Sequence, residues 1–206
     1  MLESAVHRTA TLAVRALAML RHLILALAAL LAALPAVAQD GRELTQEARK
    51  EYNAALKEAG TLIKDRQFDP ATAKLDTLIK QRPREPQARF LKGVVETELG
   101  HAEAATEIFR GLIADYPELP EPYNNLAVLL AQKGDYESAR VALETAVRTA
   151  PNWAVARENL GDIYARLAAA EYDRAAKLDR DNKTAPAKLT LVRNLLASST
   201  PPKPKS

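Results

Sequence analysis

The sequence predicts an all-α fold, a solenoid of antiparallel helix pairs, and three observations carry that expectation. Prolines stand 34 residues apart at Pro83, Pro117 and Pro151. In the same phase, alanine recurs at Ala71, Ala105 and Ala139, and a bulky apolar residue at Leu75, Phe109 and Leu143. A small residue recurs four times, at Ala59, Gly93, Ala127 and Gly161. A fixed period of this length marks stacked helix–turn–helix units, none of which can bury its apolar face alone. Such a stack presents an extended surface for binding rather than a pocket built for chemistry.

The first 38 residues are set apart by composition. Arg15 and Arg21 precede the apolar run Leu23 to Leu34, Pro35 breaks it, and Ala36-Val37-Ala38 leads into polar Gln39-Asp40. A positive start, a short apolar run and an Ala-x-Ala end predict a secretory signal peptide over 1–38, cleaved after Ala38. The 12 apolar residues fall short of the ~20 that a membrane-spanning helix needs. Left uncleaved, this segment would be the chain's one membrane attachment. A long leucine run without an arginine face is unlike a mitochondrial presequence. Positive-inside orientation places the remainder across the membrane, and the alanine- and arginine-rich style points to a bacterial periplasm.

Charge narrows the function classes. Of the net charge of +3, residues 1–38 hold +2, and the rest carries 26 basic against 25 acidic residues, interspersed. A nearly neutral working region lacks the basic stripe that neutralises phosphates, so nucleic acid is not expected as a partner. The absence of cysteine removes disulfides and thiolate metal sites.

The period divides the chain into units at 52–85, 86–119 and 120–153, with 39–51 extending the first helix from about Glu43. The third unit carries Tyr123, Leu126, Ala127, Leu130, Gly134, Ala139, Leu143, Ala146 and Pro151 at positions 4, 7, 8, 11, 15, 20, 24, 27 and 32. The second keeps Gly93, Gly100, Ala105, Phe109 and Pro117 but has Arg89, Lys92 and Glu96 at other signature positions. The first keeps Ala59, Leu62, Ala71, Leu75 and Pro83, with Arg66 in place of the turn glycine. These residues resemble the tetratricopeptide repeat family. Small residues are needed where packed helices come closest. Gly100 and Gly134 suit a left-handed turn, with Asp135 placed to cap the following helix.

A fourth unit, 154–183, begins in phase with Leu160, Gly161 and Tyr164 and ends in phase with Ala175. Ala146 and Ala175 are only 29 residues apart, so the turn is deleted. Leu167-Ala168-Ala169-Ala170-Glu171 favours helix, which predicts one continuous helix from about Ala154 to Leu178. A capping helix over 184–198 follows, with Thr184 as its cap and Leu189, Val192, Leu195 and Leu196 as one apolar stripe. Proline- and lysine-rich residues 199–206 are expected to be a disordered tail.

Catalytic patterns do not emerge. His101 is a turn residue, and Glu96/Glu98 and Glu103/Glu107 fit solvated helix faces. No phosphate-binding glycine loop or activated nucleophile is legible. The expectation is a non-enzyme without metal, catalytic residues or small-molecule cofactor.

The resemblance implies that positions 2, 5, 6, 9 and 13 of each first helix face inward. That points to Asn124, Asn125 and Val128 in unit three, Asn159 and Asp162 in the fourth, and Phe90 and Val94 in unit two. Asn125 and Asn159 share position 6, as in the asparagine ladders of O-linked N-acetylglucosamine transferases, and an amide both donates and accepts toward a peptide backbone. Upstream, Lys57 and Leu91 hold that position. The lysine/asparagine carboxylate clamp of heat-shock co-chaperones does not assemble, because inner basic residues are missing from units three and four. The predicted partner is therefore a protein or extended peptide bound by an adaptor or scaffold. The runner-up is a structural subunit packed into a cell-envelope assembly. Trp153, Tyr116 and Tyr123 are expected to pack between units.

Overall fold

The computed structural model describes residues 46–198. The signal segment at 1–38, the start of the first helix near Glu43 and the tail at 199–206 lie outside the described residues. Those described form eight helices and no strand: α1 Gln46–Lys64, α2 Phe68–Gln81, α3 Pro86–Glu98, α4 Ala102–Asp115, α5 Pro120–Gln132, α6 Tyr136–Thr149, α7 Ala154–Leu178 and α8 Thr184–Ser198. Each helix packs on the next, while α1, α3, α5 and α7 also pack side by side in that order. The result is a helical solenoid with the first helix of every unit on one face.

The turns inside the units share one hydrogen-bond pattern. The N–H groups of Gln67, His101 and Asp135 donate to the carbonyls of Leu62, Glu96 and Leu130 at 2.8, 2.9 and 3.0 Å. Those of Arg66, Gly100 and Gly134 donate to Ile63, Thr97 and Ala131 at 3.0, 3.1 and 3.0 Å. This is a Schellman closure, which places one residue in the left-handed region. Gly100 and Gly134 have φ of 79° and 81°, and Arg66 adopts 57°. The arginine that breaks the glycine pattern therefore still makes the glycine turn. Its guanidinium lies 5.2 Å from the Phe68 ring centroid and 3.3 Å from Glu98.

Boundaries between units repeat as faithfully. The N–H groups of Glu85, Leu119 and Trp153 donate to the carbonyls of Arg82, Tyr116 and Ala150, putting each proline second in a tight turn. Proline is pre-set for that position. Pro86 and Pro120 then open α3 and α5, where a missing N–H costs nothing. The Tyr116 hydroxyl donates to the Arg84 carbonyl, joining consecutive boundaries. The same turn returns at Asp179–Asn182 without a proline.

The core follows the small and bulky positions. Ala59, Ala71, Leu75, Ala105, Phe109, Ala127, Ala139 and Leu143 are all buried. A Cβ on Gly93 would stand 2.7 Å from Cε1 of Phe109, so the missing side chain is what admits that ring. The polar departures of unit two have partners: Arg89 pairs with Asp115 at 2.6 Å, Lys92 with Asp76 at 2.5 Å and Glu96 with His101 at 2.8 Å.

The fourth unit differs from its sequence pattern in one instructive place. α7 runs unbroken for 25 residues, with no turn where the sequence has lost one. Gly161, expected at a close helix crossing, is exposed and has nothing within 4 Å of its Cβ position. No second helix folds back over it, so nothing there demands a small residue. At α8, Asn182 supplies the cap instead of Thr184: its Oδ1 accepts from the N–H groups of Thr184 and Ala185 at 3.0 and 2.9 Å. The buried stripe of α8 starts at Ala185 and Leu189, whereas Leu195 is 56% exposed. Trp153, Tyr116 and Tyr123 are half-buried.

Candidate protein-binding groove

A groove of about 570 Å³ lies on the face formed by the first helices of the units. Helix α1 contributes Leu56, Lys57, Gly60, Thr61 and Lys64, and α3 contributes Pro86, Gln87, Phe90 and Leu91. Leu119 and the start of α5, at Glu121 and Pro122, close the far side. The side chains Leu56, Phe90, Leu91, Leu119 and Pro122 make its surface largely apolar, with polar groups set among them, the composition typical of a recognition cleft.

The floor is positioned from beneath. Phe90 packs on Phe109, with ring centroids 5.8 Å apart and planes tilted by 52°. Phe109, fully buried, rests against the bare backbone of Gly93. A glycine on the packing side of α3 thus sets the height of an aromatic ring on its groove side. Gly60 acts in the opposite sense. It belongs to the groove surface, and a Cβ there would meet nothing within 4 Å, so α1 leaves open space above its own backbone.

Of the residues singled out from sequence, Phe90 lines this groove. Val94 and Val128 are buried, at 1% and 2% exposure. Asn124, Asn125 and Asn159 are buried as well. Asn159 Nδ2 donates to Asn124 Oδ1 at 2.8 Å, bridging α5 and α7, while Asn125 Nδ2 donates to the Glu121 carbonyl at 2.9 Å. The two position-6 amides therefore do not bond to each other; position 5 of unit three meets position 6 of the fourth. Asn124 Nδ2 and Asn125 Oδ1 take no hydrogen-bond partner among the described residues, leaving one donor and one acceptor on adjacent residues. Asp162 is half-buried; burial raises its pKa, the nearby Glu158 raises it further, and Arg166 opposes them.

The α1 wall carries a sequence signal of its own. Leu56, Lys57, Gly60 and Lys64 occupy positions 5, 6, 9 and 13 of unit one, the same inward set applied to unit three. The paired asparagines instead point the expected site toward α5 and α7. Among the described residues no helix is long and apolar enough to cross a membrane, and no group of three or more His, Asp or Glu could hold a metal ion.

Residues 96–160 match the sequence model of the tetratricopeptide repeat. Human tetratricopeptide repeat protein 8 is 35% identical over 91 residues, covering 41% of this chain and 17% of that protein. The chain thus spans less than a fifth of the length of the curated relatives it matches. Among solved structures, the first such domain of Spaghetti, bound to the HSP90 peptide SRMEEVD, superposes with a TM-score of 0.53. That match has 16% identity and covers 58% of this chain and 94% of that one. A thermophilic protein with these repeats from Thermus thermophilus gives a TM-score of 0.53 at 23% identity, covering 70% and 82%.

Proposed function

We propose that this chain, whose residues 96–160 match the tetratricopeptide repeat, is a non-catalytic adaptor that binds a protein segment or extended peptide on its inner face. The observation that carries this reading is the apolar groove between α1 and α3, on the face formed by the first helices. Its volume lies within the range of specific ligand sites. The Spaghetti domain, which has the same fold, is described with a peptide bound, and that likeness supports a peptide as the occupant here. The leader composition supports action in a bacterial periplasm, with the signal segment removed after Ala38.

Gly60 offers the test. Gly60→Trp places an indole in the groove, since a Cβ there meets nothing within 4 Å, and replacing a helical glycine does not weaken α1. Crosslinking from Thr61 in cells should capture a partner with the parent chain and lose it with Gly60→Trp, at an unchanged or higher melting temperature. Capture that persists with the groove filled would remove this reading.

A second reading has its own observation. Leu178 and Leu191 are 89% and 69% exposed near the C-terminal end of the array. Exposed leucines of this kind suit a subunit packed into an envelope assembly, which would purify with that assembly instead of alone.

A further inference from the structure

The two ends of the array differ in character. Among the described residues, no large apolar side chain of α1 or α2 is exposed, whereas Tyr164, Leu178, Leu191 and Leu195 of α7 and α8 are exposed by 47% to 89%. Helix α8 packs on α7 and on no other described helix. Ala185 and Leu189 are buried there. Leu191 lies about 200° round the helix from Leu189, and with Ala187 and Leu195 it forms a row of exposed residues four apart. The last helix of a solenoid needs a polar outer surface, because no further unit covers it. Apolar residues on two sides of one helix call for two neighbours, and α7 supplies one.

The chemistry of the row says which second neighbour fits. Helix α8 contains no Asp or Glu, and its two cations turn back onto α7: the Lys188 ammonium stands 5.6 Å from the Tyr172 ring centroid and Arg193 3.6 Å from Asp173. The row itself is uncharged, so setting it against an identical row brings no like charges together. It is also self-complementary in size. A row of residues four apart crosses a matching row at about −50°, and in a two-fold pairing every contact off the axis is made twice. With Leu191 on the axis, the small Ala187 of one copy faces the large Leu195 of the other. We propose that α8 is a self-association surface, on which two copies of the chain pair through their C-terminal ends as a closed dimer. Joining end to start would instead lay the leucines where no large apolar side chain is exposed, and would not close. The groove lies on α1, α3 and the start of α5, away from α8, so the dimer carries two grooves and suits a partner with two matching segments. The pairing itself does not depend on the groove being a binding site.

Helix α8 has 15 residues, about 22 Å of length. One such crossing falls short of the ~800 Å² per partner in a stable complex, so the dimer separates on dilution. Sedimentation velocity on the full chain should pass from monomer to dimer between about 1 and 100 μM. Leu191→Glu and Leu191→Lys each place like charges on the axis and should stay monomeric over that range. An equimolar mixture of the two should recover the dimer, because opposite charges then meet on the axis. Leu191 is exposed, so both variants keep the fold, and circular dichroism melts at the lowest concentration check that. A parent that is monomeric throughout would overturn the proposal and leave the leucines to an envelope subunit. A dimer that survives either substitution would overturn α8 as the surface. Variants that stay monomeric when mixed would overturn the two-fold pairing centred on Leu191.

Discussion

Gly93 and Gly161 hold the same position in units two and four, yet they do opposite things. Beneath Gly93 lies Phe109, close enough that a single methyl would collide with its ring. Around Gly161 there is open space. The difference is the second helix: unit two has α4 folded against α3, while the fourth unit forms one continuous α7. A small residue in a repeat pattern is therefore the footprint of a partner helix, and it loses its meaning when the partner is gone.

The sharpest way to break this comparison is to install the same side chain at both sites. Gly93→Leu should cost about 3 kcal/mol by overpacking against Phe109 and should also disturb Phe90 in the groove. Gly161→Leu should cost nothing. Urea denaturation of the two variants measures both, and equal losses would refute the assignment of roles. Next in size is Asn159→Ala, expected to cost about 2 kcal/mol because it leaves the buried Asn124 carbonyl oxygen without its donor. That loss, read by the same denaturation, would show that the fourth unit is held to the third through its first half. Gly161→Ala should stabilise by about 1 kcal/mol, the helix propensity that glycine forfeits, visible as a raised thermal midpoint.

The smallest effect concerns Asp162, on the same helix. Its folded pKa is raised above its unfolded value, chiefly by burial. The fold therefore prefers the neutral acid, and stability falls as pH rises from the ordinary aspartate range through the raised value. Asp162→Asn should melt slightly higher than the parent at neutral pH, and the difference should vanish below about pH 3.9, where the parent is protonated in both states. A melting difference independent of pH would exclude the carboxylate as its cause.

Much of the fold was legible because turns and crossings constrain residue type directly. Gly134 with Asp135 announced a left-handed stop and a cap, and Asp135 Oδ1 does accept the Ser138 N–H at 3.1 Å. The five-residue deficit announced the continuous α7. The sequence did not announce that Arg66 would take the glycine conformation, because a left-handed backbone is disfavoured for any residue with a side chain. Nor could position alone rank the inward residues. Asn124, Asn125 and Asn159 and the open α1 wall follow the same periodic rule, but burial depends on which neighbouring helix lies against them. Unit one stands at the start of the described array, and its inner positions stay open where those of unit three are covered.

The Asp179–Asn182 turn bears on how such a chain can grow. It copies the hydrogen bonds of the upstream boundaries, yet it arrives after 29 residues and delivers the chain into α8, which packs along α7. A duplicated 34-residue segment inserted before Pro86 or Pro120 would meet a helix pair on each side and lengthen the surface in step. A copy added beyond Asn182 would find α8 already occupying the flank of α7. Beyond Asn182 the face formed by the first helices therefore cannot lengthen in step, and the last boundary acts as a stop.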